Sequence, residues 1–348
     1  MKKLENIINK APYSLKKIKK NELFKKYLNF LNKHHYENCE EYKKLIDSFN
    51  SNKTKNFPML PVKIFKLFDL MSVKKNKIVK KLVSSGTTGQ KTSKIFLDKE
   101  NSNNQMKVLT KIIEFILGKK RLPMLIVDKK STITDKSIFN ARATAIFGFS
   151  LFGKNYCYMI NENNEIDYKS LNNFIEKFGK EKFLIFGFTS FIYEYLIKKM
   201  KTKSLDLSNA VLFHGGGWKK LENQKITNIS FKSKLNSNLN IKNIHNYYGM
   251  VEQTGSIFTE CKSGYFHTTI FSDIFIRDKN FEIQKFNKKG LIQLISLIPT
   301  SYPGHNILTE DIGEIIGEDN CECGIGGKYF LVHGRAKEAE VRGCSDVR

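Results

Sequence analysis

Arginine is scarce in this chain. It supplies six of 59 basic residues, which face 34 acidic ones and leave a formal net charge of +25 carried almost wholly by lysine. Those lysines are spread along the sequence among many asparagines, whereas readers of DNA or RNA gather arginine and stacking aromatics in one place. No RNP motif, zinc-finger spacing or helix-turn-helix signature is present, so no specific nucleic-acid partner is expected, and the charge bears on non-specific association alone. No apolar run approaches the roughly 20 residues of a membrane span. The first ten residues hold lysines but no apolar segment of the signal-peptide kind, so a cytoplasmic location is expected. Cysteine is also sparse, at 39, 157, 261, 321, 323 and 344, and reduced thiols are expected rather than disulfides.

With 41% hydrophobic and 12% aromatic residues in 348, the chain can bury a sizeable core. Residues 12–49 show near-helical recurrence of Leu15, Ile18, Leu23, Tyr27, Leu28 and Leu31, with lysines on the expected wet face and Pro12 and Ser14 at the expected start. Pro58 and Pro61 exclude an ordinary helix and leave Met59, Leu60 and Val62 to lie against the domain body. Apolar strands then alternate with helical stretches near 102–118, 138–147, 168–178 and 190–200, the pattern of an α/β domain with buried, largely parallel strands. From Ser256 to about 334 shorter strands between Gly- and Asn-containing turns predict a β-rich lobe. The expected division is an N-terminal helical segment, 1–56, packed on one catalytic domain, 57–348.

The densest chemistry lies in Ser84-Ser85-Gly86-Thr87-Thr88-Gly89-Gln90-Lys91-Thr92. Glycine-rich backbone with hydroxyls and one cation suits a polyphosphate cradle, and equally a surface turn. Gln90 stands where a Walker loop needs glycine, so the P-loop reading fails. Four further clusters follow in order. His214-Gly215-Gly216-Gly217-Trp218 ends an apolar strand. Tyr247-Tyr248-Gly249-Met250-Val251-Glu252 offers a stacking ring and a carboxylate for Mg²⁺. Asp311 stands at a turn before a strand, and Gly334-Arg335 closes one with a cation.

Phosphate nest, glycine platform, Tyr/Glu, Asp and Gly-Arg, in that order, resemble the adenylate-forming superfamily. Together with Leu60-Pro61-Val62-Lys63-Ile64-Phe65-Lys66 and Arg342-Gly343-Cys344-Ser345, they resemble its acyl-protein synthetase branch of the LuxE type across nearly the whole chain. The resemblance implies the superfamily's large-domain fold, with helix-flanked sheets and a small β-rich lobe, and without the usual small C-terminal domain, since the sequence stops at Arg348. It also implies that ATP and a carboxylic, here fatty, acid give an acyl-adenylate. Ser84, Ser85, Gly86, Thr87, Thr88, Gly89 and Lys91 would hold the phosphates. His214, Gly215–Gly217, Tyr247, Tyr248 and Gly249 would enclose adenine, Asp311 and Arg335 would contact ribose, and Glu252 with Thr88 would hold Mg²⁺.

In that branch the acyl acceptor is the enzyme's own cysteine, matched by Cys344, and the partner is an acyl-CoA or acyl-protein reductase. Coenzyme A or a carrier-protein pantetheine is the alternative acceptor, and a non-catalytic nucleotide-sensing or nucleic-acid-binding module is the reading from another class. Met59, Ile64, Phe188 and Phe191 suit an acyl pocket as well as they suit a core. Cys261-x5-His267 and Cys321-x-Cys323, each beside turn glycines, form two short chelating pairs fit for a structural Zn²⁺.

Overall fold

The computed structural model describes residues 2–50, 58–84, 91–134, 141–200, 205–217 and 226–336. In chain order its longer helices are α1 Lys2–Ile8, α2 Lys17–Asn38, α3 Glu40–Asn50, α4 Lys99–Leu117, α5 Ala141–Ser150, α6 Tyr168–Phe178 and α7 Asn228–Leu239. The strands are β1 Leu60–Pro61, β2 Ile78–Val83, β3 Lys94–Asp98, β4 Leu122–Lys129, β5 Gly153–Ile160, β6 Phe183–Phe188, β7 Ala210–Gly215, β8 Asn243–Tyr248, β9 Phe258–Thr259, β10 Phe266–His267, β11 Ser272–Arg277, β12 Lys289–Ser296, β13 Asn306–Glu318 and β14 Lys328–Arg335. No helix among the described residues is long and apolar enough to cross a membrane. The described parts of 1–84, 88–115 and 249–341 make one compact unit, and those of 116–248 a second.

The second unit is the α/β layer that the alternating pattern predicts. Its strands run β5-β4-β6-β7-β8 with every neighbouring pair parallel. β6 and β7 are buried along their whole length because helices cover both faces of such a sheet, which is why they read as unbroken apolar runs. Asp167 caps α6 by accepting from the Ser170 N–H, and Thr227 caps α7 by accepting from that of Ser230. Phe231 and Leu235 of α7 then join Leu212 and Ile185 in the core.

The first unit is built on an antiparallel sheet, β10-β14-β13-β12-β11, with β1 added in parallel to β13. Pro61 sits opposite Leu308 at that edge, a position where its missing N–H costs no ladder bond. Leu60, Val62 and Phe65 are buried with Tyr302 and Ile307, so the two-proline stretch does lie against the body.

α2 departs from its expected start and phase. Ser14 Oγ donates to the Ala11 carbonyl in a turn, and the helix begins at Lys17, whose N–H donates to Asp319 Oδ2 at 2.9 Å. Ile18 is 75% exposed, while Lys20 is 2% exposed and faces the sheet with Phe24, Tyr27 and Leu31. Lys20 Nζ donates to Thr268 Oγ1 (2.9 Å) and Asp273 Oδ1 (3.3 Å), and Lys328 Nζ donates to Asp273 Oδ2 (2.9 Å). Burial lowers the Lys20 pKa in spite of Asp273; the Asp273 carboxyl, although buried, is held below its ordinary value by the two lysines.

His35 of α2 and His305 stack at 4.8 Å. His35 Nε2 donates to the Pro299 carbonyl, and its Nδ1 accepts from Ser72 Oγ at 2.7 Å. His305 Nε2 donates to Asn32 Oδ1 at 2.6 Å. Burial holds both rings neutral, that of His305 at about 3 and that of His35 well below the usual 6.5. A depressed pKa means that the unfolded chain takes up protons first as pH falls. Stability is therefore complete above about pH 6.5 and declines toward pH 3, by up to about 1.4 kcal/mol per pH unit for each histidine. Denaturant titrations at pH 7.5, 6 and 5 should show this loss, with a shallower slope in His305→Gln; an unchanged slope would remove His305 from the acid response.

Candidate functional site

Ser84 and Ser93 close the neck of the β2–β3 hairpin. The Ser84 N–H donates to the Ser93 carbonyl at 3.0 Å, and the Ser93 N–H donates to Ser84 Oγ at 2.8 Å. The loop they hold carries exposed Lys91, while Ser85, Gly86, Thr87, Thr88 and Gly89 lie outside the described residues.

In the parallel sheet Gly215 of β7 stands in register with Tyr247 of β8, at the carboxyl ends of the strands, where open α/β sheets take ligands. A Cβ at Gly215 would lie 2.5 Å from the Tyr247 ring, which in turn stacks with Phe186. Glycine is needed here first for ring packing. Gly216 has φ +82°, with the Phe188 ring 2.8 Å from where a side chain would begin. Gly216 and Gly217 are exposed, Tyr248 is half-buried and Gly249 is exposed.

His214 is enclosed. Thr189 Oγ1 donates to the Gly215 carbonyl (3.1 Å), so the contact at 2.9 Å has His214 Nδ1–H donating to Thr189 Oγ1. Nε2 is then a buried acceptor without a hydrogen-bond partner among the described residues, and Phe231 lies edge-on at 4.9 Å. Burial, helped by Lys232 and His245, lowers this imidazole to about 3, so it is neutral near pH 7. Its contacts make it a support beneath the glycine turn.

In the first unit Glu252 occupies a short helical turn, Val251–Gln253, and is 3% exposed. Its carbonyl accepts from the Tyr302 hydroxyl at 2.8 Å, and Gln253 Nε2 donates to the carbonyls of Leu294 and Gly304. The backbone that carries the carboxylate is therefore fixed from both sides. Asp311 and Arg335 stand opposite each other across β13 and β14, with Arg335 Nε 3.8 Å from Asp311 Oδ1. Arg335 Nη1 lies 3.8 Å from Glu310 Oε2, and Lys63 Nζ 3.2 Å from Glu310 Oε1. No sequence motif gave Lys63 or Glu310 a role. Their pairing depends on β1 joining β13, which no local pattern announces.

The two cysteine pairs do meet. One ligand atom from each of Cys261, His267, Cys321 and Cys323 lies within 4.8 Å of all the others. Cys261 opens a tight turn closed by Gly264 N–H to its carbonyl, and Cys321 a second closed by Gly324 in the same way. His267 Nδ1 donates to the Gly326 carbonyl (3.4 Å), which aims the Nε2 lone pair at the cluster, 3.3 Å from Cys323 Sγ. The Ile325 N–H donates to that sulfur. Burial opposes ionisation of the Cys261 thiol, but His267 and backbone hydrogen bonds outweigh it and hold the thiol below its ordinary value. Three sulfurs and one oriented imidazole are the donor set of a tetrahedral Zn²⁺, whose bonds of about 2.0–2.3 Å fit donors this close.

Tyr13, which no motif singled out, lies edge-on to His267 at 6.5 Å, with its hydroxyl 3.1 Å from Thr259 Oγ1. Burial, with Cys261 and Cys323 nearby, pushes that hydroxyl up to about 12. The arm carrying Tyr13 is also held by the Ile270 N–H on the Pro12 carbonyl (2.7 Å), and at its far end Lys17 meets Asp319. Asp319 Oδ1 in turn accepts from the Gly327 N–H, in the cysteine loop. Cys344, with Arg342, lies outside the described residues.

The family model described as "Acyl-protein synthetase, LuxE" matches residues 2–348. No curated protein matches. Similar solved structures include 2-hydroxyisobutyryl-CoA ligase in complex with 2-HIB-AMP and CoA, at TM-score 0.68 and 11% identity, covering 91% of this chain and 70% of the ligase. They also include the luciferase-like enzyme of the nonluminescent mealworm Zophobas morio, at TM-score 0.50 and 18% identity over 77% of this chain and 60% of that one. A third is the amide bond synthetase McbA of Marinactinospora thermotolerans, at 0.50 and 13% over 75% and 49%. At such identities the likeness is one of fold, that of adenylate-forming enzymes.

Proposed function

The chain belongs to the LuxE acyl-protein synthetase family, and from that premise we propose that it activates a fatty acid with ATP and passes the acyl group to the thiol of Cys344. In the first half-reaction a carboxylate oxygen bonds to the α-phosphorus as the bond to pyrophosphate breaks. In the second, the thiolate bonds to the acyl carbon and AMP leaves. Ser84, Ser85, Thr87, Thr88 and Lys91 bind the phosphates, Gly215–Gly217 and Tyr248 flank adenine, and Asp311 and Arg335 orient the ribose. Glu252, with Thr88, would hold Mg²⁺, which would supply positive charge to offset that building on the phosphates.

The observation that carries this reading is the family match, which runs through every one of those positions. The cysteines support Cys344 as acceptor by their settings. Burial pushes the Cys39 and Cys157 thiols up to about 11, which makes them poor nucleophiles, and three more belong to the cluster with His267. The test is carboxylate-dependent exchange of labelled pyrophosphate into ATP across acids of increasing chain length. Exchange greatest with long-chain acids is expected, and none with any acid would sink the proposal. Acyl transfer to added coenzyme A in place of self-labelling would instead support an acid–thiol ligase.

The same reading makes the Cys/His cluster a structural zinc site. Protein purified without chelator should carry about one zinc per chain. Cys321→Ser should lose the metal and melt at lower temperature. It should also release the arm around Tyr13 to limited proteolysis, because the cysteine loop holds that arm. Metal-free wild-type protein with the same melting temperature would overturn this assignment.

A further inference from the structure

A groove of about 490 Å³ lies between α2 and the hairpin of β11 and β12. Its walls are apolar, with Phe24 and Leu28 from the helix facing Phe275 and Ile315 from the sheet. The rim is apolar too, and it is wet: Ile283 is 55% and Phe286 41% exposed. Large side chains left in water beside an apolar cleft mark a surface that a ligand can cover.

The charges around the groove define what that ligand carries. Its acids, Asp273 and Glu318, are already engaged. Asp273 is shared by Lys20 and Lys328, and Glu318 Oε2 lies 3.3 Å from Lys17 Nζ. Lys25, at the mouth, has no ion pair among the described residues. Of the lining residues, Lys17, Lys25 and Lys328 thus stand against Asp273 and Glu318, and the surplus is one positive charge.

The charged end of the groove lies away from the residues assigned to ribose. Glu318 pairs with Lys328 at one end of the β13–β14 ladder and Asp311 with Arg335 at the other. Seven residues of strand separate the two ends, roughly 23 Å.

We propose that this groove is a second ligand site that takes a long-chain carboxylate, its tail against Phe24, Leu28 and Phe275 and its head group at Lys25 and Lys17. A neutral or cationic head group would forgo that attraction, and a short acid would leave Ile283 and Phe286 in water. The site would hold the chemical class that the protein is proposed to activate, on residues other than those assigned to the nucleotide. It rests on the groove's own chemistry and not on that activity.

The test is photolabelling of the whole protein, without ATP, by a twelve-carbon fatty acid bearing a diazirine, followed by peptide mapping. Label is expected on the peptides of Phe24–Leu28 and Phe275–Phe286, displaced by dodecanoate and not by dodecyltrimethylammonium. Lys25→Glu and, separately, Phe286→Asp should each cut that label at least fivefold while pyrophosphate exchange stays at the wild-type rate. Both positions are exposed, so both variants should fold. Groove peptides free of label, or labelled equally in the variants, would overturn the proposal. So would equal displacement by the cationic amphiphile. Groove labelling in a protein that exchanges no pyrophosphate would uphold the site and defeat the adenylation reading alone.

Discussion

Cys344→Ser is expected to retain pyrophosphate exchange near the wild-type rate and to lose covalent acyl label completely. Adenylation precedes any need for the thiol, so the first half-reaction should not register the change. Serine is nearly isosteric, but its hydroxyl is far less ionised near neutral pH and is a poor nucleophile without a neighbouring base. The nine residues from Arg335 to Cys344 could span at most roughly 30 Å. Wild-type protein incubated with labelled acid and ATP should carry label released by neutral hydroxylamine, as thioesters are. An enzyme that forms adenylate but never acquires that label would move the acceptor to an external thiol.

Glu252→Gln should lower carboxylate-dependent exchange by about 100-fold or more, the usual scale for removing one electrostatic contact to a reacting phosphate or carbonyl. The protein should stay folded. The Tyr302 hydroxyl bonds the Glu252 carbonyl, which glutamine keeps, and Gln253 anchors the turn to Leu294 and Gly304 independently. The exchange loss should therefore come with a stability change of no more than about 1 kcal/mol. Because glutamine preserves shape and removes charge, the experiment isolates the carboxylate. Normal exchange in a folded variant would take Glu252 out of metal binding.

The parts of the site that were legible are those whose chemistry is written in adjacent residues. Glycines at the end of β7 and two short chelating pairs announce themselves, because turn geometry and ligand spacing are local properties. The unbroken apolar runs of β6 and β7 announced buried parallel strands for the same reason. Two chelating pairs 54 residues apart suggested one metal site, and the antiparallel pairing of β10 with β14 brings them together.

What the sequence by itself determined is thus the family, the α/β pattern with its later short strands, and the inventory of groups proposed to hold nucleotide or metal. Tertiary structure alone decided which of them are inside. Lys20 read as one more wet-face lysine, but Asp273 and Thr268, some 250 residues away, supply the partners that make its burial tolerable. His214 read as part of a nucleotide platform, and Thr189 with Phe231 encloses its ring, where burial keeps it neutral. Tyr13, Lys63 and Glu310 acquired neighbours only when β1 joined β13 and the arm met the cysteine loop. Periodicity reports the phase of an element's own residues. Whether a polar side chain can be buried is settled by the hydrogen bonds waiting for it on another element, which a one-dimensional pattern does not contain.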